Sequence, residues 1–392
     1  MTIVLSCGGP IIEGAAKPLG PRNRKAQIIA VACDQFGNAG FRNVSMKDIA
    51  SAVGITAGAL YRHFPNKQEI LAQSMLTGCT SLLAALAEAD HHDSLAVASA
   101  LAWYGMDNGC RGVLVDKESY NLTPERRVDV RAGVQAVVTC VADAIRMERP
   151  ELPESDVILL SWAMMSIAIS PAKHGTALPR NQFDPLFHKL FDAVRNAPLL
   201  PEEPPARTQP VFDLAERSRR EVLMGAAITL FDQYGYQAVT MDDIGSAAGM
   251  TSSNIYNYFD SKADILHAIL TRGNEILRLG LTQALIAAQS TEDALTRVVH
   301  SYTSAVLAPD SAISILIEQS SNMPPETRST FRSAQREYVE QWVRLLGPVT
   351  SEARATVLAA IGLINDLSRV GLESRRCAIE DLARRVLTAQ LN

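Results

Sequence analysis

The chain is short of aromatic residues and of every motif that carries catalysis. Its 392 residues include three Trp, nine Tyr and ten Phe, while Ala and Leu are abundant, a balance that favours helices. No Gly-x-Ser-x-Gly elbow, His-Glu-x-x-His pair, Walker loop or dinucleotide glycine loop occurs, so no catalytic residue, cofactor or enzymatic role is expected. Six cysteines (Cys7, Cys33, Cys79, Cys110, Cys140, Cys377) are scattered without a Cys-x-x-Cys pair. That excludes a disulfide framework and a zinc site and reads as cytosolic usage, with a redox-sensing thiol left open. His91-His92-Asp93 is not a metal site, because adjacent histidines do not share a helix face. His174 and His188 stand alone and read as surface or capping residues. Long apolar runs are lacking too. Val157 to Ala172 is shorter than a membrane span and contains Ser161, Ser166 and Ser170, so a buried interface helix is expected and no membrane partner. Met1 to Ala16 has no positive leading region, and Ser6, Gly8, Gly9 and Pro10 break its apolar run. Residues 1–20 are therefore expected to be a disordered lead-in, and the location cytoplasmic.

What is present is a repeat. Length alone allows two or three domains. Arg22 to Gln73 aligns without a gap on Arg217 to Ala268 at an offset of 195, with 18 of 52 positions identical. Unrelated segments would agree at about one position in fifteen to twenty. The overall charge of −5 conceals a difference between the copies. Residues 22–73 carry seven Lys/Arg against three Asp/Glu, a net +4, and residues 217–268 four against six, a net −2. Phosphate neutralisation drives attraction to nucleic acid, so the first copy is the stronger non-specific binder.

Each copy opens with basic residues and an apolar helical stripe: Ile28, Ile29, Ala32, Cys33, Phe36 in the first, and Leu223, Ala226, Ala227, Leu230, Phe231 in the second. Gly40 and Gly235 lie just past the helix end. Ser45 to Asp48 and Thr240 to Asp243 resemble capping boxes, with a hydroxyl first and an acid three residues later. Gly54 and Gly249 permit a tight turn. Thr56 and Thr251 then cap a third helix, expected over residues 57–64 and 252–259. Asn66 and Ser261 cap a fourth. Capped starts in the same order, twice, predict a helix-turn-helix in each copy.

These residues resemble the DNA-binding domain of TetR-type transcriptional regulators. The resemblance rests on Asp48-Ile49-Ala50, Gly54, Thr56, Ala59 to Phe64, Lys67 and Ile70-Leu71, and on Asp243-Ile244, Gly249, Thr251, Asn254 to Phe259, Lys262 and Ile265-Leu266. It is looser in the second copy, where Gly245 replaces the usual alanine. The resemblance implies that the third helix enters the major groove. Thr56, Ala57, Gly58 and Leu60, and Thr251, Ser252, Ser253 and Asn254, would then meet base edges, while Phe36, Ile49, Leu60, Phe64, Ile70 and their counterparts read as core. It puts Tyr61, His63, Lys67, Tyr256, Tyr258 and Lys262 on phosphates, helped by the helix N-termini. Arg22, Arg24, Lys25, Arg217, Arg219 and Arg220 suit the flanking backbone or minor groove. Ser45, Arg62, Thr240 and Asn257 complete the expected DNA-facing set. The partner implied by the resemblance is a double-stranded operator.

The remainder of each half shows helical periodicity. Glu118 to Arg127 aligns with Gln319 to Arg328 at an offset of 201, with five of ten residues matching. The whole unit is therefore doubled, and the expected fold is all-α: two TetR-like units, each a three-helix head with a helical ligand-binding and dimerisation domain, forming an intramolecular pseudo-dimer. Domain limits are read as 1–20 lead-in, 21–70 first head, 71–196 first regulatory domain, 197–214 linker, 215–266 second head and 267–392 second regulatory domain. Five prolines between Ala197 and Pro210 give the linker a reach of roughly 40 Å in polyproline II. That is comparable to the roughly 34–36 Å between adjacent major grooves. By resemblance, Asp156 to Ser170 with Phe183 to Val194, and Glu352 to Val370 with Ile379 to Leu391, are the dimerisation helices. Trp103, Tyr104, Met106, Trp162, Met164 and Met165, and Tyr302, Phe331, Tyr338 and Trp342, are candidates for a small apolar effector of lipid, steroid or acyl thioester class. Because the recognition helices differ, a non-palindromic operator is expected, with Asn254 suited to adenine. The chain would act as a repressor, alone or as a dimer of tandem chains. The alternative is a sensing or interaction module in which only the first head binds DNA.

Overall fold

A computed structural model describes residues 21–108, 114–115, 118–175, 178–199, 218–308, 311–319 and 323–390. Every regular element among them is helical, as the periodicity predicts. The chain divides into two compact units between Arg195 and Asn196. The lead-in and nearly all of the proline-rich stretch lie outside the described residues.

In the first unit, α1 (Pro21–Ala39), α2 (Met46–Val53) and α3 (Ala57–His63) form the head. Its core is Ile28, Ala32, Cys33, Phe36, Ile49, Leu60 and Phe64, closed from below by Ile70, Leu71 and Met75 of α4 (Lys67–Ala87). Burying each of the large members is worth about 1.5–3 kcal/mol. Behind the head come α5 (Ser94–Asn108), α6 (Pro124–Glu148), α7 (Glu154–His174) and α8 (Arg180–Arg195). Their limits bracket the expected dimerisation helices of this half.

The second unit repeats this order with one further described helix, α14, between the counterparts of α5 and α6: α9 (Arg219–Tyr234), α10 (Met241–Ala247), α11 (Ser252–Ile255), α12 (Lys262–Ala287), α13 (Thr291–Val306), α14 (Ala312–Gln319), α15 (Pro325–Leu345), α16 (Ser351–Arg369) and α17 (Arg376–Thr388). The second alignment also has a structural counterpart. Arg127 Nη2 donates to Leu122 O at 3.4 Å, and its equivalent Arg328 donates to Met323 O at 2.9 Å. One arginine thus holds the same turn in both units.

Two expectations are corrected. α7 is five residues longer than the apolar run inside it. It and α4 are long and apolar enough to cross a membrane by length and composition, and 67% and 44% of their most apolar windows are buried within the fold. His174 is buried at the end of α7 rather than on the surface. α7 and α16 are buried along almost their whole length, Leu159 to Ala168 and Ala355 to Asn365 with few breaks.

Candidate nucleic-acid interface and effector cavity

The turn of each helix-turn-helix is set by glycine. Gly54 adopts φ 73, ψ 36 and Gly249 φ 66, a backbone conformation that side chains strain against. Both capping boxes are formed. Ser45 Oγ and Thr240 Oγ1 each donate to the acid three residues on, Asp48 and Asp243, at 2.6 Å, and accept from the same residues' backbone N–H. Those hydroxyls are accordingly engaged at the helix start. The hydrogen bonds from Ser45 and Thr240 hold both carboxyls below the ordinary aspartate range.

The third helices differ. α3 runs seven residues from Ala57 to His63, capped by Thr56 Oγ1, which accepts from Ala59 N at 3.2 Å. α11 covers four residues, Ser252 to Ile255, and gives way to turns through Tyr258, short of the expected end at residue 259. Ser252, Ser253 and Asn254 favour caps and turns over helix interiors, whereas Ala57, Ala59 and Leu60 are good helix formers. Gly245 faces Ile255 across the second turn: a Cβ there would lie 2.4 Å from Ile255 Cδ1 and 3.2 Å from Met250 O. The first unit has Ala50 and Leu60 at these two places. The Gly–Ile pair is thus a compensated exchange, in which the smaller residue makes room for a β-branched one.

Thr56, Gly58, Tyr61 and Arg62 are exposed along one head, and Thr251, Asn254, Tyr256, Asn257 and Tyr258 along the other, with Ala57 and His63 half-buried. Tyr61 and Tyr256, at equivalent positions, are 54% and 53% exposed. Leu60 is 0% exposed and belongs to the head core, so it does not reach a base edge, and that expectation is corrected. The Ser252 and Ser253 side chains, that of Arg22, and Arg217 lie outside the described residues. Arg24 is half-buried and bonds Gln27 at 2.9 Å, while Arg219 is exposed. Lys25 Nζ lies 5.9 Å from the centre of the Phe64 ring, and the equivalent Arg220 4.5 Å from Phe259. These two basic residues brace the end of the third helix.

Lys67 and Lys262 are turned inward. Lys67 Nζ donates to Phe41 O at 2.6 Å and Val44 O at 2.7 Å, and Lys262 Nζ to Tyr236 O at 2.7 Å and Val239 O at 2.6 Å. Each ammonium also sits over an aromatic ring, Phe41 at 4.2 Å and Tyr236 at 4.4 Å. Burial pushes the Lys67 pKa down, with Arg42 adding to it. The phosphate role expected of these lysines is replaced by a structural one: they tie the fourth helix to the loop that precedes the second.

In the second unit a cavity of about 380 Å³ opens between α12, α13, α14 and α15. Tyr302 and Tyr338, both expected effector contacts, line it. Trp342 is fully buried behind them, its ring 5.7 Å from that of Tyr302, and Phe331 packs on His267 at 5.7 Å; both are wall, not lining. Tyr302 Oη donates to Asn365 Oδ1 at 2.9 Å. Burial pushes both tyrosine hydroxyls far above their ordinary range, so they remain protonated. Reading the sequence for aromatics missed Leu277, Leu281, Gln335 and the rest of the α12 face; the 26-residue length of α12 was the available signal.

In the first unit, among the described residues, Trp103 and Tyr104 point to different helices. Trp103 faces α8, its ring tilted against Phe183 at 5.7 Å and covered by the Arg180 guanidinium at 4.2 Å. Its neighbour Tyr104 turns to α4 and donates to Gly78 O at 3.1 Å. Met164 and Met165 are buried in α7, and Met106 and Trp162 are half-buried. Cys79 and Cys140 have thiols pushed up by burial, which lowers their thiolate fraction; Cys377 is exposed. Among the described residues no three His, Cys, Asp or Glu gather as a metal site.

Two capped helix-turn-helix heads, each with its third helix outward, define a DNA-binding protein. The family model described as bacterial regulatory proteins, tetR family, matches residues 28–73 and again 223–269. The chain is 30% identical over 139 residues to the HTH-type transcriptional repressor KstR2 of Rhodococcus jostii strain RHA1, covering 35% of this chain and 68% of that protein. It is 25% identical over 174 residues to the HTH-type transcriptional activator FasR of Mycolicibacterium smegmatis, covering 43% and 80%. A TetR-family regulator from Bordetella parapertussis superposes with TM-score 0.40 at 20% identity, over 44% of this chain and 94% of that one. The chain belongs to the TetR family of transcriptional regulators and carries two TetR-type units in tandem.

Proposed function

We propose that this chain is a ligand-responsive repressor that brings both reading heads to one operator. The observation that carries the reading is the pair of exposed third helices, Thr56 to Arg62 and Thr251 to Tyr258, built on matching scaffolds with different side chains. A conventional dimer repeats one recognition helix and so reads a palindrome. Two different helices in one polypeptide select two different half-sites. Bound operator blocks transcription, and a small apolar effector shifts the population toward a form with lower DNA affinity. The setting is cytoplasmic.

Footprinting of the bound operator, with the mass of the complex measured in parallel, tests this. The expected result is one chain on two unlike half-sites roughly one helical turn apart. A perfect palindrome bound by two chains would sink it. A second reading, in which only the first head binds DNA, draws on the four-residue length of α11 and the net −2 of the second head against +4 of the first. Under that reading the footprint covers a single half-site.

A further inference from the structure

We infer that the second half senses the effector, and that its cavity takes an uncharged apolar molecule bearing a single hydroxyl or carbonyl group. The inference rests on the proposed effector response and names its site and ligand class.

The two halves differ at equivalent places. In the first, α6 presses on α4 at Gly133, where a Cβ would lie 3.2 Å from Cys79 Cβ and 3.3 Å from its Sγ. Helices in that contact leave no room between them. The equivalents in the second half are Ala334 and Asn274, and both line the open cavity. α12 also runs to Ala287, 26 residues against 21 for α4, and its added turn supplies Leu285 and Ile286 to the wall. At this contact the duplication thus closed the helices on each other in the first half and parted them in the second.

Chemistry at the cavity selects the ligand. Its volume of about 380 Å³ sits at the small end of the roughly 300–1,000 Å³ found for ligand sites. Its deep polar groups are neutral. Gln335, 8% exposed, presents its amide to the cavity with no hydrogen-bond partner among the described residues. Tyr302 Oη, its proton committed to Asn365, keeps its oxygen as an acceptor. A hydroxyl or carbonyl on the ligand satisfies the Gln335 amide, which would otherwise be desolvated without compensation. Charge at the rim opposes an anion. Glu275 and Glu337 stand there, and the guanidinium of Arg278 is paired to Glu275 at 2.6 Å. A carboxylate or a coenzyme A thioester would bring negative charge against these carboxylates, and the nucleotide of the thioester would exceed the volume.

Calorimetric titration of the full-length chain with 1-decanol and with decanoyl-coenzyme A tests the inference. The expected result is one saturable decanol site per chain, with decanoyl-coenzyme A weaker by about tenfold or more, a difference of roughly 1.4 kcal/mol. Ala334→Trp, which fills the cavity, abolishes decanol binding. Gln335→Leu, close in size and without the amide, weakens it by about 2- to 10-fold, the effect of one lost hydrogen bond. Absence of saturable decanol binding, a thioester that binds as tightly as the alcohol, or either variant binding like the wild type would overturn the inference. Operator binding is measured separately on the ligand-free chain, so loss of the regulator reading and loss of this one are distinguishable.

Discussion

The backbone N–H of Phe41 donates to Glu118 Oε1 at 3.1 Å, across 77 residues of chain. Phe41 begins the turn that joins the first two helices of the head, and Glu118 lies past α5, in the regulatory part of the same unit. Lys67 takes the carbonyl of that same Phe41. Asn121 Nδ2 in turn fixes the other Glu118 oxygen at 2.6 Å. One residue of the head is thus gripped by the fourth helix on one side and by the regulatory domain on the other. A second tie runs nearby: Arg126 of α6 donates to both Glu69 oxygens, at 2.9 and 2.7 Å.

Glu118→Ala should cost about 1–3 kcal/mol, because it leaves a buried amide donor without its acceptor. The Phe41 amide should be protected from hydrogen exchange in the wild type and lose that protection selectively in the variant, while amides in the α4 core stay slow. Glu118→Gln keeps an acceptor for Phe41 but sets its NH2 against the Asn121 amide, so it should fall between the alanine variant and wild type. Unchanged exchange at Phe41 in the alanine variant would show that the bond carries no weight.

The inward lysines give a contrast between stability and DNA affinity. Lys67→Met and Lys262→Met should each lower stability by about 1–3 kcal/mol, since two loop carbonyls lose a charged donor. The salt dependence of operator binding should keep its slope. Arg62→Ala, at an exposed residue of α3, should instead reduce that slope by about 0.9, the value for one phosphate contact. Denaturant melts and affinities across a salt series separate the two behaviours.

That contrast marks where the sequence was legible. Glycine positions, capping hydroxyls and the 3.6-residue stripe are local signals, and they located α1 to α4 and their repeats. Lys67 and Lys262 were misread because the carbonyls they serve belong to a loop more than twenty residues upstream, and carbonyl direction leaves no trace in side-chain pattern. Leu60 reads both as a base contact and as core, and is core, for a related reason. It sits among exposed neighbours in sequence, and only the packing of α3 on α2 and into the head core shows that it points inward. In the second unit the aromatic residues gave away half the cavity. Its other wall lies on α12, whose first turns read as part of a DNA-binding head.

Gly245→Ala should destabilise the second head by about 1–3 kcal/mol, the usual penalty for overpacking. Adding Ile255→Leu recreates the pair found in the first unit and should recover at least half of that loss. Thermal melts of the two single variants and the double variant supply the coupling term. Strict additivity would show that the two positions do not compensate each other.

Acid should loosen the second helix of each head. The lowered carboxyls of Asp48 and Asp243 mean that the folded state favours their charged form. Their contribution is therefore complete above the ordinary aspartate pKa and is lost as pH falls through the lowered value. NMR titration should give carboxyl midpoints below that of an unstructured aspartate, with the Ser45 and Thr240 amides following the same curve. Midpoints at the ordinary value would mean that the boxes do not persist in solution.

Asn254 distinguishes a reading second head from a silent one. It is exposed on α11, where its equivalent in the first unit is Ala59, a residue with no hydrogen-bonding group. An asparagine amide matches the donor and acceptor that adenine shows in the major groove, a bidentate match worth about 1–3 kcal/mol. Asn254→Ala should therefore weaken operator binding by about 5- to 150-fold and relax base preference at a single position of one half-site. Tyr256→Ala, at an exposed ring suited to phosphate, should weaken binding to all sequences alike. Competition assays on operators mutated one base at a time tell these outcomes apart. Loss at one base in one half-site requires that the second head reads sequence in its own right. Equal binding by wild type and Asn254→Ala on every operator would leave reading to the first head alone, with the second kept for sensing.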